Sequence, residues 1–338
     1  MNAIPGKPNE VAKPYLASLL LLLLSGCASH PPLLSPLLPS ASTHAMLELE
    51  ATPFHAQEKY QCGPAALATL LEDSGVPVTA ESLVPLVYLP EKKGSLQMEM
   101  VAVSRRYQRI PYVIRPDLNS LLAELQAGRP VLVLQNLGFT QFPVWHYAVV
   151  IGYSAERDEM ILRSGVTRRE VLDAHRFLAT WKQSGHWAMV LLRPGDLPAV
   201  PDQLPYLKAV AAMERSAPAE HLIAAYRAAL DHWPESAIAM FGLAVAQHAK
   251  GDLAAAELNY RRLLEAAPDF IAAHNNLAEV LADRGCYSEA RAVIQQALQK
   301  ESGALQQELR QTEHEIVRRI SNHPSQPSPC RRPRIPHE

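Results

Sequence analysis

The sequence has little that would suit a nucleic-acid-binding, metal-binding or disulfide-rich protein. Its 338 residues carry 32 basic and 34 acidic side chains, a formal net charge of −2 at pH 7, whereas nucleic-acid-binding domains usually present a basic patch. The four cysteines, Cys27, Cys62, Cys286 and Cys330, stand in unrelated contexts. No Cys-x-x-Cys pair and no Cys/His spacing typical of zinc occurs. We therefore expect no nucleic-acid partner, no metal or other cofactor, and no disulfide framework.

Near the N-terminus, the apolar run Leu16–Leu24 is too short to cross a bilayer. Lys7 and Lys13 precede it, which is the order of a signal peptide, here predicted over residues 1–26. The next stretch, Leu24-Ser25-Gly26-Cys27, resembles the lipobox of bacterial lipoproteins. An ordinary signal peptide with a chance cysteine, or an uncleaved anchor, is the alternative.

The lipobox resemblance implies that Cys27 becomes the lipidated N-terminal residue and anchors the protein to a membrane. No Asp follows Cys27, and by resemblance to the sorting rules of Gram-negative bacteria this implies an outer-membrane lipoprotein that faces the periplasm. Residues 27–46 are rich in Pro, Ser and Leu and are predicted to form a flexible tether.

The segment around Cys62 has the features expected of a nucleophile. From Ala65 onward the chain is rich in Ala and Leu, which favours a helix, and Pro64 suits the first turn. Cys62 is thus predicted at a helix N-terminus, where the helix dipole lowers a thiol pKa and favours the thiolate. Gln57, five residues upstream, can offer its side-chain amide to a developing oxyanion.

A histidine that could act as the general base lies at 146. The run from Val144 to Tyr153 is apolar, β-branched and aromatic, and it predicts a buried strand that carries His146 near its start. His186, in a similar run, is the rival candidate.

Together, Cys-Gly-Pro-Ala-Ala-Leu and His-Tyr-Ala-Val-Val-Ile-Gly-Tyr resemble the papain-fold peptidase domain of the bacteriocin-processing, double-glycine cysteine peptidases, especially their stand-alone relatives outside ABC exporters. The resemblance covers residues 54–194. It implies a cysteine peptidase in which Cys62 is the nucleophile, His146 the general base and Gln57 the oxyanion-hole residue.

The sequence departs from that family at two points. The family's Gln lies six residues before the cysteine, whereas Gln57 lies five before and Gln61 is adjacent, so Gln61 is an alternative. The family also has an Asp that orients the histidine, and Ser164 stands about there. Ser164 is therefore the predicted orienting residue, with Asp158 or a backbone carbonyl as alternatives.

The order of predicted elements agrees with this resemblance. The first half reads as helices, namely the Cys62 helix, a short helix capped by Thr79 and a helix within 95–107. The second half reads mainly as strands, at 112–114, 131–136, 144–153, 159–163 and 186–193, with a helix capped by Asp117. We therefore predict an α+β papain-like cysteine peptidase domain over residues 47–196.

Beyond this domain, similar residues recur every 34 positions. Pro234 is followed by Pro268, and Gly251 by Gly285, which is the period of the tetratricopeptide repeat. We predict an all-α tetratricopeptide-repeat domain over 200–301, with about 2.5 repeats, best formed at 236–268 and 270–301. A capping helix at 302–320 and a disordered tail at 321–338 follow.

Three functions fit these features. The first is a membrane-anchored cysteine peptidase that cleaves a peptide or protein, with the repeats recruiting a protein partner. The second is an inactive peptidase-fold module that binds a peptide, for which the missing Asp is the motive. The third is a scaffold in which the repeats carry the function.

Overall fold

Within residues 31–38, 46–300 and 303–322, which the computed structural model describes, seven strands form one antiparallel sheet. The order in the sheet is β2-β7-β3-β4-β5-β6, and β1 pairs with β4 off this path. The strands are β1 (Met46–Glu48), β2 (Ile110–Val113), β3 (Val131–Asn136), β4 (Trp145–Ser154), β5 (Glu159–Ser164), β6 (Thr167–Asp173) and β7 (Ala188–Leu192).

Among the residues that the structure describes, five α-helices belong to this first domain. They are α1 (Cys62–Asp73), α2 (Ala80–Val87), α3 (Gln97–Arg106), α4 (Leu118–Gln126) and α5 (Ala174–Lys182). Thr79 and Asp117 cap α2 and α4 as predicted, each accepting a hydrogen bond from a backbone N–H three residues on. The predicted α+β fold class is thus confirmed, but β1, β6 and α5 had not been predicted.

The central strand β4 is buried on both faces because helices cover both sides of the sheet. Tyr147, Val149 and Ile151 share one apolar cluster with α1, whereas Ala148 and Val150 belong to the cluster on the other face. This alternation follows the two-residue period of a strand. It fixes which side of β4 meets the helix that begins at Cys62.

The second half of the chain is helical: α6 (Gln203–Ala211), α7 (Ala219–His232), α8 (Ala237–Lys250), α9 (Leu253–Ala266), α10 (Ile271–Asp283), α11 (Tyr287–Lys300) and α12 (Gln306–Asn322). The α8/α9 and α10/α11 pairs match the two predicted repeats. Tyr206, Leu207 and Val210 of α6 lie in the same buried cluster as sheet residues, so one apolar core continues from the sheet into the helical region.

Residues 31–38, within the predicted tether, lie against the sheet domain. The Leu34 side chain is fully buried, and the backbone N–H groups of Leu33 and Leu34 donate to the Asp158 carboxylate. The predicted signal peptide, Cys27 and the tail from 323 onward lie outside the described residues. None of the described helices combines the length and the apolar character that crossing a bilayer requires.

Cys286 lies just before α11 and is disulfide-bonded, which corrects the expectation that the cysteines form no disulfide. Cys62 is the free cysteine among the described residues.

Candidate active site

Cys62 is the first residue of α1, as predicted, and only 9% of it is exposed. Its sulfur accepts hydrogen bonds from the backbone N–H groups of Tyr147 and Gly63. A glycine is required at 63 because a Cβ there would lie 2.2 Å from Ser95 Oγ. Close packing thus brings the start of α1 against β4 at the residue that follows His146.

His146 is the second residue of β4 and is 8% exposed. Its Nε2 lies 3.0 Å from Ser164 Oγ, within hydrogen-bond distance of the residue that the sequence predicts to orient the ring. The hydroxyl can accept the Nε2–H, which leaves Nδ1 free to accept a proton. An imidazole held in one tautomer by its neighbour is the arrangement that a general base requires.

The turn between β5 and β6 holds the segment of Gln57 close to Ser164 through a backbone hydrogen bond. Ser164 ends β5, and Gly165 adopts a positive φ of 60° in the turn that follows. The backbone N–H of Gln57 donates to the Gly165 carbonyl at 3.1 Å. All four predicted residues, Gln57, Cys62, His146 and Ser164, line one cavity of about 1030 Å³.

The rival residues lie elsewhere. Gln61 precedes α1 but does not line this cavity. Asp158 lies in the turn after β4, at the end opposite His146, and accepts hydrogen bonds from the segment 31–38. His186 packs edge-on against Trp181, with ring centroids 4.8 Å apart.

The predicted low pKa of Cys62 is wrong. Burial raises the pKa of the thiol above its ordinary value of 9.0, and the hydrogen bonds from the Tyr147 and Gly63 N–H groups oppose this only in part. Burial likewise lowers the pKa of His146, although the charge of Glu170 opposes that shift. At neutral pH the resting pair is therefore a thiol and a neutral imidazole.

One wall of the cavity is an apolar loop between β3 and β4. Leu137 and Val144 line the cavity, and Phe139 and Phe142 at the loop tip are 77% and 78% exposed. The buried Asn136 holds this loop, because its Oδ1 accepts from the N–H groups of Gly138 and Val144 and its Nδ2 donates to Gln183. The exposed rings therefore stand on an ordered turn.

Glu170 also lines the cavity and was not among the predicted site residues. It lies on β6, a strand that begins with four polar residues and that was not predicted. The turn signal Ser164-Gly165, followed by such a run, could have revealed the hairpin.

The comparisons with known proteins divide the chain in the same way. Residues 49–189 match the Peptidase_C39 like family, and residues 223–270 and 251–304 match the tetratricopeptide repeat. No match is found among curated proteins.

Solved structures similar to this chain fall into the same two groups. A C39-like peptidase from Bacillus anthracis is 16% identical over 44% of this chain and 98% of its own, with a TM-score of 0.36. The peptidase domain of Streptococcus ComA, a bifunctional ABC transporter involved in a quorum-sensing pathway, is 17% identical over 42% of this chain and 98% of its own, with a TM-score of 0.35. The TPR2B domain of yeast Sti1, solved as a pHsp70 complex, is 18% identical over 34% of this chain and 94% of its own, with a TM-score of 0.32.

The family matches and the order of the folded parts agree. The chain carries a domain of the Peptidase_C39-like family followed by tetratricopeptide repeats.

Proposed function

We propose that this protein is an active cysteine peptidase in which Cys62 is the nucleophile and His146 the general base. The observation that supports the proposal is the cavity shared by Cys62 and His146. The backbone N–H of Tyr147, next to His146, is hydrogen-bonded to the Cys62 sulfur, and His146 Nε2 lies within hydrogen-bond distance of Ser164. A nucleophile, a base and an orienting group around one cavity form the pattern of covalent acyl transfer.

The reaction starts from the neutral pair. His146 takes the thiol proton as the sulfur attacks the carbonyl carbon of the scissile peptide bond. The oxyanion accepts hydrogen bonds from the Gln57 side-chain amide and the Cys62 backbone N–H. The imidazolium then protonates the leaving amine, and water hydrolyses the thioester to release the acid and restore the thiol.

The substrate is a peptide segment with apolar side chains. The wall formed by Leu137, Val144 and the rings beyond them is apolar, and it continues into the cavity that contains Cys62. An exposed apolar surface on an ordered loop beside a cleft favours an extended apolar segment as occupant.

The test is proteolysis of a complex peptide library, with the new termini identified by mass spectrometry. We expect cleavage by the wild type and none by Cys62→Ser or His146→Ala. His186→Asn is the matched control, because it alters a histidine outside the cavity and should cut like the wild type. Cleavage that survives in Cys62→Ser would contradict the proposal.

The second candidate is a peptide-binding module without turnover. The raised pKa of the Cys62 thiol favours it, because such a protein keeps few thiolates at neutral pH. Cys62→Ala distinguishes the two functions, since an enzyme accumulates uncut substrate on this variant, whereas a binding module holds the same peptides on the wild type.

The cell envelope is the proposed location, with Cys27 as the lipid anchor. The lipobox-like stretch supports the anchor, and the disulfide at Cys286 suits an oxidising compartment such as the periplasm. Metabolic labelling with an alkyne fatty acid should mark the wild type and not Cys27→Ala. Equal labelling of both would exclude this anchor.

The repeats are proposed to hold a protein partner. A groove of about 310 Å³ between α8, α10 and α12 is lined by charged residues, including Glu279, Asp283 and Arg319. A photo-crosslinking residue in place of the exposed Gln311 in this groove should give a defined adduct in cells. The same residue in place of Lys182, on the exposed face of α5, should not.

A further inference from the structure

Glu170 is the one carboxylate among the described residues that line the cavity of Cys62 and His146. The other titratable side chains on its walls are Tyr60, Lys92, Lys93 and Tyr147. No role follows for Glu170 from the predicted catalytic set, which contains no acid. Its position on β6 suggests one.

An irregularity in the β5–β6 ladder decides which β6 side chain takes this position. Thr167 pairs with Ser164, so a regular ladder would pair Arg169 with Leu162. The register shifts by one residue, and Glu170 pairs with Leu162 instead. A bulge of this kind re-aims side chains, and here it places the carboxylate on the cavity side.

The displaced arginine faces another partner. Arg169 binds the Glu48 carboxylate through Nε and Nη2, the latter at 2.9 Å. Arg163 of β5 is also directed away, because its guanidinium donates to the backbone carbonyls of Glu50 and Thr52. The bulge therefore brings a negative charge, and not a positive one, to the site.

We propose that Glu170 is the charged partner of His146 and stabilises the imidazolium that forms when His146 takes the Cys62 proton. It acts through His146 and is thus a positioning residue. The hydrogen bond of the imidazole is made with Ser164 and not with Glu170. The inference rests on the proposed function, since it gives Glu170 the role that the acidic residue has in a peptidase triad, which is to stabilise the imidazolium.

The groups around His146 support these separate roles for Glu170 and Ser164. Cys62 lies on α1, Ser164 on β5, Glu170 on β6, and Gln135 is the cross-strand partner on β3. Gln135 donates to Thr180 Oγ1 at 2.7 Å and is uncharged. Among these groups, Glu170 is the carboxylate that raises the pKa of His146 against the effect of burial.

The first experiment is an NMR titration of His146 in protein with labelled histidine, with the signal assigned from the His146→Ala spectrum. We expect a lower pKa for His146 in Glu170→Gln than in the wild type. Glu170→Asp keeps the charge and should stay near the wild type. Glu156→Gln, an exposed glutamate in the turn at the other end of β4, is the matched control and should change nothing.

The second experiment is the pH profile of kcat/KM on a peptide that the wild type cuts. In Glu170→Gln the acid limb should move to lower pH, and the plateau should fall about tenfold, the cost expected of one nearby charge. Glu170→Asp should recover most of the plateau, which a merely structural loss would not allow.

A failure of the role of Glu170 can be distinguished from a failure of the proposed peptidase function. A His146 titration that is the same in Glu170→Gln and the wild type, or that moves as much in Glu156→Gln, overturns the role of Glu170. A wild type that cuts no peptide overturns the proposed function instead, and the NMR titration still decides whether the charge of Glu170 acts on His146.

Discussion

Replacing Ser164 by Ala tests how the imidazole of His146 is held. The variant removes the hydroxyl that lies 3.0 Å from Nε2 and leaves the backbone of the β5–β6 turn in place. Such a hydrogen bond contributes about 0.5–1.5 kcal/mol net, which corresponds to a fall of roughly twofold to tenfold in kcat/KM. The loss stays this small because Glu170 still supplies the charge.

The assay measures two rates on each variant. One is kcat/KM on a peptide that the wild type cuts, and the other is the second-order rate of alkylation of Cys62 by iodoacetamide. Ser164→Thr keeps a hydroxyl and is the matched control, expected within about twofold of the wild type. Equal rates in Ser164→Ala and the wild type would remove Ser164 from the site, as would a Ser164→Thr variant as slow as Ser164→Ala.

Three further predictions concern the packing at Gly63, the exposed rings of the β3–β4 loop and the titration of the Cys62 thiol. Gly63→Ala should lower kcat/KM more than tenfold, because the added Cβ meets Ser95, and adding Ser95→Gly should restore most of it; a double variant as slow as the single one refutes the clash. Replacing Phe139 and Phe142 by Ser should raise KM severalfold with kcat unchanged, measured on an apolar peptide, whereas an unchanged KM would place the substrate elsewhere. Iodoacetamide alkylation of Cys62 should keep rising with pH beyond the range of a free cysteine, because burial raises the thiol pKa; a plateau near neutral pH would contradict this.

The sequence was sufficient for the parts of the site that depend on local pattern. The Ala/Leu run and Pro64 place Cys62 at the start of α1, and the apolar run with His146 near its start is β4. Likewise the 34-residue period predicted the helix pairs of the repeats. These features have sharp local signals, because each depends on residues close together in the chain.

Features that depend on tertiary packing could not be predicted. The N-terminal position of Cys62 suggested a low thiol pKa, but burial raises the pKa and outweighs the backbone N–H groups that lower it. The strand β6 was missed because its outer positions are polar, and with it Glu170. A one-residue bulge decides whether Arg169 or Glu170 faces the cavity, and nothing in the local sequence signals that bulge.

The catalytic pair of Cys62 and His146 is tested most directly by covalent capture of Cys62 with a peptide that carries an acyloxymethyl ketone, read by intact mass and peptide mapping. We expect one adduct, on Cys62, in the wild type and in His186→Asn, and a far slower reaction in His146→Ala, because no base then takes the thiol proton. Equal rates in the wild type and His146→Ala, or an adduct on another residue, would contradict the claim that Cys62 and His146 form a catalytic pair.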